Sequence, residues 1–334
     1  MLIDVHAHMI TPNMLNCDPF WGPRMTLKGF TVGDFSLGTK QPAASTDAEA
    51  EANLLRKMSH QGRRALMAER GVDRLVFSVP SHAFMYWAGD FGNRYAALCN
   101  QELSNYCAAD PDHFSFWAHA NLAEPEAAAK EIHRAITELG AVGVCVGGAN
   151  FNGLQAYSPE LDPVWAVLEK LNAPIMVHGY NQSVWWGEKH TDDKFETTSI
   201  LGDCYDESLF FWYLICGGAL DRFPNLKTYI THAGGMALFQ LGRLNELNRG
   251  MAPDALNEKP LVDYLANFWF DLDVHSVALR RAVVDLVGVD RLLHGTNFGG
   301  AYDFGDPAAG LGLTEQQSEK IRSGNALALL NLAV

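Results

Sequence analysis

Residues 1–8 read Met1-Leu2-Ile3-Asp4-Val5-His6-Ala7-His8, a mostly apolar run that ends on two histidines one residue apart. Such a run forms a buried strand, and in a strand the side chains at i and i+2 point to the same face. His6 and His8 then present both imidazoles to one point at the strand's C-terminal end. Neutral imidazole is a common ligand of divalent metals. A lone His-x-His pair is more often a polar rim where a strand meets a loop, so its meaning depends on what the other strands carry at their ends.

Working outward, strand-like and helix-like segments alternate along the whole chain. After the strand at 2–6 comes an irregular stretch, 9–45, rich in Gly, Pro and Thr, and then a helix over 46–70. The strands that follow are Arg74–Val79, Phe114–His119, Val142–Val146, Pro174–His178, Leu226–His232, Phe268–Asp273 and Arg291–Gly295. Helical spacing of apolar residues separates them, over 92–109, 125–139, 158–172, 206–222, the segment up to about 249, 276–288 and 314–331. Eight strand–helix units in 334 residues imply an α/β fold, a single (β/α)8 TIM-like barrel over 1–334 with long loops after strands one and five. A doubly wound open sheet is the rival, but no Gly-x-Gly-x-x-Gly turn follows an early strand.

Hydrophobic residues make up 48% of the chain and charged residues 19%, enough for a large core. The net charge of −14 argues against nucleic acid or an anionic membrane as a partner. The six cysteines are scattered with no Cys-x-x-Cys, which fits reduced thiols in the cytoplasm. No basic, then apolar, leader opens the sequence, and no apolar run is long enough to span a bilayer.

Chemistry in a barrel gathers at the C-terminal ends of its strands. Histidines recur there: His6 and His8 on strand one, His178 on strand five and His232 on strand six. His294 and Asn297 flank the end of strand eight. His82 and His119 also end strands but suit satisfied polar roles, while His60, His113, His133 and His190 belong to the surface or to loops.

Several motifs along the chain carry a family resemblance: Ile3-Asp4-Val5-His6-Ala7-His8, Met176-Val177-His178, Phe223-Pro224-Asn225-Leu226-Lys227 and Thr231-His232-Ala233-Gly234-Gly235. They continue with Gly242-Arg243, Phe270-Asp271, Val274-His275 and Asp290-Arg291-Leu292-Leu293-His294-Gly295-Thr296-Asn297. Together they resemble the amidohydrolase superfamily, most of all its branch of aminocarboxymuconate semialdehyde decarboxylase and related aromatic-acid decarboxylases. The resemblance implies that His6, His8 and His178 bind one divalent metal ion, Zn2+ first and Mn2+ second, with His232 beside it as acid/base. It implies that Arg243 recognises a substrate carboxylate, a task suited to a bidentate guanidinium.

Two departures stand out. The family usually ends strand eight in Gly-Thr/Ser-Asp, where the Asp binds metal or handles protons, whereas this chain has Gly295-Thr296-Asn297. An amide is no base at neutral pH and a weaker, neutral ligand. A natural variant with three histidines plus water, an engineered change, and substitution by Asp303 or Asp306 are all open on the sequence. The second departure is in substrate contacts. Asp47, Glu49 and Glu51 stand where the decarboxylase has another arginine, and the loop after His178 carries Tyr180-Asn181-Gln182 and Trp185-Trp186. Tyr180, Trp186, Phe84, Trp87 and Phe298 are candidate aromatic walls for a different substrate.

The sequence therefore predicts a cytoplasmic, metal-dependent non-oxidative decarboxylase of a small carboxylated aromatic or muconate-type compound, with His232 and Asn297 as catalytic residues. A C–C hydrolase or hydratase of ring-cleavage products is the alternative, and a non-catalytic binding barrel a third. A binuclear cyclic-amide hydrolase does not fit, since strand four reads Val144-Cys145-Val146-Gly147 without the bridging lysine. The expected partner is a small carboxylate. The family resemblance adds a homodimer or higher oligomer in which Arg249 reaches a neighbouring subunit's site.

Overall fold

The computed structural model describes residues 1–15, 17, 23–26, 29–32, 58–180, 197–298 and 306–333. Its frame is a set of parallel strands with helices between them. β1 (Ile3–His8), β4 (Arg74–Ser78) and β5 (Phe114–Phe116) form one parallel sheet. A second contains β6 (Ala118–His119), β7 (Val144–Gly147), β10 (Ile175–His178), β11 (Thr228–Ile230) and β12 (Phe268–Phe270) in that spatial order. Two short antiparallel hairpins, β2–β3 (Pro23–Thr26 with Gly29–Val32) and β8–β9 (Asn150–Phe151 with Leu154–Gln155), lie in connections after strand ends. Every residue of β1, β7 and β10 is buried, the burial expected of parallel strands covered on both faces.

The expected third strand is split at Trp117. Its indole Nε1 donates to the Val5 carbonyl at 3.0 Å, and its own amide bonds the Phe77 carbonyl at 2.8 Å, so β5 and β6 run on as neighbours of β4 and β7. The expected eighth strand is not a regular one either. A 3-10 turn covers Val289–Arg291, and the chain beyond it is held by bridges at Leu292 to Phe270 and at Phe298 to Ala7. Leu293 N–H bonds the Phe270 carbonyl at 2.8 Å, and Val5 N–H bonds the His294 carbonyl at 3.0 Å. The 292–298 segment therefore lies between β12 and β1.

The helices α1 (His60–Arg70), α2 (Asp90–Ala108), α3 (Pro125–Thr137), α4 (Asp162–Lys170), α5 (Asp203–Cys216), α6 (Ala219–Arg222), α7 (Leu241–Met251) and α8 (Val277–Val287) connect the strands. Local chemistry sets their ends. The Ser59 hydroxyl caps α1 by accepting from Gly62 N–H, and Gly71 closes it in the left-handed region at φ 67°. Ser276 caps α8 in the same way. The final helix expected over 314–331 is interrupted: α9 (Glu315–Glu319) and α10 (Asn325–Leu330) flank a π turn at Lys320–Gly324. Of the first predicted helix, residues 46–57 lie outside the described residues. Among the described residues no helix is long and apolar enough to cross a membrane.

Candidate metal centre

Register brings the strand-end histidines together. His8 pairs with Ser78 across β1–β4, and His178 with Gly147 across β10–β7. Ring centroids of His6 lie 5.3 Å from His8, 5.1 Å from His178 and 5.1 Å from His232. His178 is 5.0 Å from His8 and 5.2 Å from His232. One donor atom from each of His6, His178 and His232 falls within 4.8 Å of the others, a spacing that could hold a metal ion. The sequence set His232 apart from the ligands; in space it stands among them.

Each of the first three imidazoles is held at Nδ1. His6 Nδ1 is 3.3 Å from Asp271 Oδ2, His8 Nδ1 is 3.1 Å from Ser78 Oγ, and His178 Nδ1 is 2.8 Å from the Gly179 carbonyl. The Nε2 atoms of His6 and His178 are buried without a hydrogen-bond partner. An outer partner on one nitrogen and an unpaired inner nitrogen is how metal-binding histidines are commonly set. Burial, then the neighbouring imidazoles, pushes the pKa of His6 and His178 well below the usual histidine range, so both are neutral donors at pH 7. The neutral donors of His6 and His178, which belong to the cluster spaced for a metal, fit a divalent ion.

His232 is set differently. β11 stops at Ile230, and His232 and Ala233 adopt φ of 50° and 54°, left-handed values for residues that carry a Cβ. Strand six is therefore shorter than the sequence suggests. The turn is held because Asp271 Oδ1 accepts from Ala233 N–H at 2.9 Å. It places His232 Nδ1 2.7 Å from Glu207 Oε1. Burial by itself would lower the pKa of His232, but Glu207, then Asp273 and Asp271, outweigh it and hold the group well above the usual range. A charged imidazole is a poor ligand beside two neutral ones. Electrostatics thus separates a proton-bearing His232 from the neutral histidines it adjoins.

Glu207 is the participant that sequence reading missed. It lies on α5, fully buried, and its Oε1 also accepts from Thr231 Oγ1 at 2.6 Å and Gly179 N–H at 3.0 Å. The available signal was a cluster of acids, Asp203, Asp206 and Glu207, ahead of the apolar run of α5. Such a cluster is ordinary for a helix start. Asp206 braces the same region through Ala149 N–H and Tyr180 N–H. Asp4 accepts from the backbone N–H of His6 and of Thr296, tying β1 to the 294–298 segment. Burial raises Asp4 to about 7.

Asn297 stands beside β1, since Phe298 N–H bonds the His6 carbonyl at 2.8 Å and His8 N–H bonds the Phe298 carbonyl at 3.0 Å. Its φ is 58°, and its side-chain Oδ1 is buried with no partner. Asp306 makes no hydrogen bond to the four imidazoles; its carboxylate lies 3.9 Å from His294 Nδ1 and 3.7 Å from Arg322. Burial lowers His294 to about 4 and His119 to about 3, and neither belongs to the cluster. Asp303, Trp186 and His190 lie outside the described residues.

The other predicted substrate residues divide. Tyr180 Oη donates to the Phe84 carbonyl at 2.6 Å, and the two rings meet edge to face at 6.0 Å. The Arg70 guanidinium, from α1, lies over the Phe298 ring at 4.8 Å. Arg243 lies exposed on α7. Arg249 belongs to the same helix, but its side chain lies outside the described residues.

The amidohydrolase family model matches residues 3–332. The chain belongs to this family. A 2-amino-3-carboxymuconate-6-semialdehyde decarboxylase of Dictyostelium discoideum is 27% identical over 78% of this chain and 73% of that protein. A gamma-resorcylate decarboxylase of Polaromonas sp. is 25% identical over 83% of this chain and 89% of that protein. Among solved structures, dihydroxybenzoic acid decarboxylase of Polaromonas sp. JS666, with bound manganese and the inhibitor 2-nitroresorcinol, superposes with a TM-score of 0.73. It is 21% identical and covers 99% of this chain and 98% of that one, a likeness of fold.

Proposed function

We propose that this family member is a metal-dependent, non-oxidative decarboxylase of a small carboxylated aromatic or muconate-type acid. The observation that carries the reading is the split among converging imidazoles: His6 and His178, neutral with unpartnered Nε2 atoms, beside His232, whose pKa a buried glutamate raises. His6, His8 and His178 would hold one divalent ion, with Asn297 Oδ1 as a neutral neighbour. Once bound, the ion would orient the substrate's carboxylate and an adjacent oxygen and polarise them as a Lewis acid. Zn2+ and Mn2+ both suit imidazole donors, and the manganese in a related fold makes Mn2+ the first to test.

His232 then carries the proton chemistry. Its imidazolium delivers a proton to the carbon that bears the carboxylate. The bond to the carboxylate breaks, its electron pair stays with the substrate carbon skeleton, and CO2 leaves. Glu207 keeps its bond to Nδ1 throughout and so presents Nε2 to the substrate. Phe84 and Tyr180 line one side, and Arg243 meets a second anionic group at the mouth. The reading includes ring closure of the parallel strands into one (β/α)8 unit, through the 292–298 segment, and a homodimer that brings Arg249 to a neighbouring site.

The test is a set of candidate acids incubated with Mn2+-loaded protein: gamma-resorcylate, 6-methylsalicylate, 5-carboxyvanillate and 2-amino-3-carboxymuconate-6-semialdehyde. Release of CO2 that is lost in His232→Ala supports the reading. Incorporation of 18O from water into the product without CO2 would instead establish hydrolysis or hydration. Metal-loaded protein inert toward every acid, with no affinity for 2-nitroresorcinol, would favour a binding barrel.

A further inference from the structure

Buried carboxylates surround the imidazoles, and Asp4, Asp271 and Glu207 each accept hydrogen bonds, although Glu207 Oε2 has no partner. Asp4 is bound to Thr296 and the His6 backbone. Asp271 accepts from Tyr229 Oη at 2.6 Å and from the backbone N–H of Ala233 and Asp273, besides facing His6. Glu207 Oε1 serves His232, Thr231 and Gly179. Asp273 differs. Its backbone N–H is fixed on Asp271 at 3.1 Å, yet neither side-chain oxygen accepts a hydrogen bond among the described residues. One oxygen lies 3.8 Å from His232 Nε2 and the other 3.5 Å from His275 Nε2. The side chain is only 3% exposed. Among the described residues its carboxylate is therefore matched only by imidazoles, through charge and not through a hydrogen bond. Position 297, beside β1, offers an amide oxygen that has no partner and no charge.

We propose that Asp273 supplies negative charge at this metal centre and positions the Nε2 edge of His232, a part for which residue 297 brings only an amide. The carboxylate reaches the site from the end of β12, on the strand next to β11, which leads into His232. Glu207 bonds Nδ1 of His232 at 2.7 Å while Asp273 lies 3.8 Å from Nε2, so a carboxylate flanks each edge of the ring. A divalent ion among neutral imidazoles gains from one nearby carboxylate even without direct ligation, since the attraction acts through a site of low effective dielectric. This inference rests on the metal-centre reading above and deepens it.

The test uses MnCl2 alone, titrated into metal-free full-length protein and followed by calorimetry. Wild type is compared with His178→Ala, Asp273→Asn, Asn297→Asp and the double variant D273N/N297D. D273N is expected to weaken Mn2+ binding about tenfold, and N297D placed in the D273N background to recover most of that loss. Recovery by a charge on a different strand is not expected if Asp273 matters only for local packing. In D273N any turnover found with the candidate acids should lose kcat with little change in KM, as a misplaced His232 would cause. Mn2+ affinity within twofold of wild type in D273N, or no recovery in the double variant, overturns the proposal. If wild type binds Mn2+ and His178→Ala does not, that failure leaves the metal centre intact. If wild type does not bind Mn2+, both readings fall. Should D273N not fold, Asp273→Ser is judged by the same criteria.

Discussion

Glu207 Oε1 sits 2.7 Å from Nδ1 of His232, and the two residues reach that contact from different elements, helix α5 and the turn after β11. The contact fixes which nitrogen of His232 faces the centre and keeps the ring charged. Glu207→Gln retains an oxygen for the Nδ1–H but removes the charge. With a metal bound, kcat should fall about 10- to 100-fold while KM changes little. The sign of the pH effect follows from the raised His232 pKa: the acid form is active, and activity is lost as pH rises through that pKa. Without the Glu207 charge the loss should occur at lower pH. A kcat–pH profile in Glu207→Gln that overlays wild type would show that His232 takes its charge from elsewhere.

Removal of one imidazole should uncouple the metal from stability. His178 Nε2 is buried without a partner, and a bound divalent ion would satisfy it. A ligand that binds only the folded state stabilises by mass action, about 2.7 kcal/mol at a hundredfold excess over Kd. Addition of MnCl2 should therefore raise the melting temperature of wild type and leave His178→Ala unmoved. Equal shifts in both proteins would place the ion elsewhere.

Asp206 offers a pH test away from the imidazoles. Burial raises its pKa from 3.8 to about 7, partly offset by Ala149 N–H and Tyr180 N–H. Between those values the folded chain holds a proton that the unfolded chain releases. Its contribution to stability therefore declines as pH rises through that window, by on the order of 4 kcal/mol. Urea midpoints at mildly acidic and mildly alkaline pH should differ less in Asp206→Asn than in wild type. An unchanged pH slope in the variant would mean that Asp206 ionises normally.

Gly295 is pinned between three groups that build the centre. A Cβ there would come within 2.8 Å of Tyr229 Oη, 2.9 Å of His6 Cβ and 3.0 Å of Asp271 Cβ. Packed surroundings relax poorly, so Gly295→Ala should destabilise by about 1–3 kcal/mol and also weaken Mn2+ binding by displacing His6. Thermal unfolding and the MnCl2 titration check the two effects together. Loss of stability with full metal affinity would show that His6 does not depend on this packing.

The separation between what was legible in sequence and what was not follows the range of the interactions. His6 and His8 could be placed because a strand's period of two is local, and the same holds for His178 at the end of an apolar run. The apolar runs likewise announced the strands, though not where each ends. β11 stops before His232 because Asp271, from another strand, takes the Ala233 N–H, and no pattern within Leu226–His232 encodes that bond. The eighth strand is reduced to bridges because Asp4 and the backbone of β1 draw on the 294–298 segment.

By itself, then, the sequence determined the alternation of strand and helix, the strand-end histidines, the acidic balance and the amide at 297. Those properties depend on residue type and short spacing. Only the tertiary structure decided that His232 adjoins the neutral donors yet has its pKa raised, that Glu207 bonds one nitrogen of it while Asp273 lies 3.8 Å from the other, and that Arg70 lies over the ring of Phe298. These follow from distances between residues far apart in the chain, and from the removal of water. Burial lets a carboxylate a few ångströms away outweigh the intrinsic preference of an imidazole.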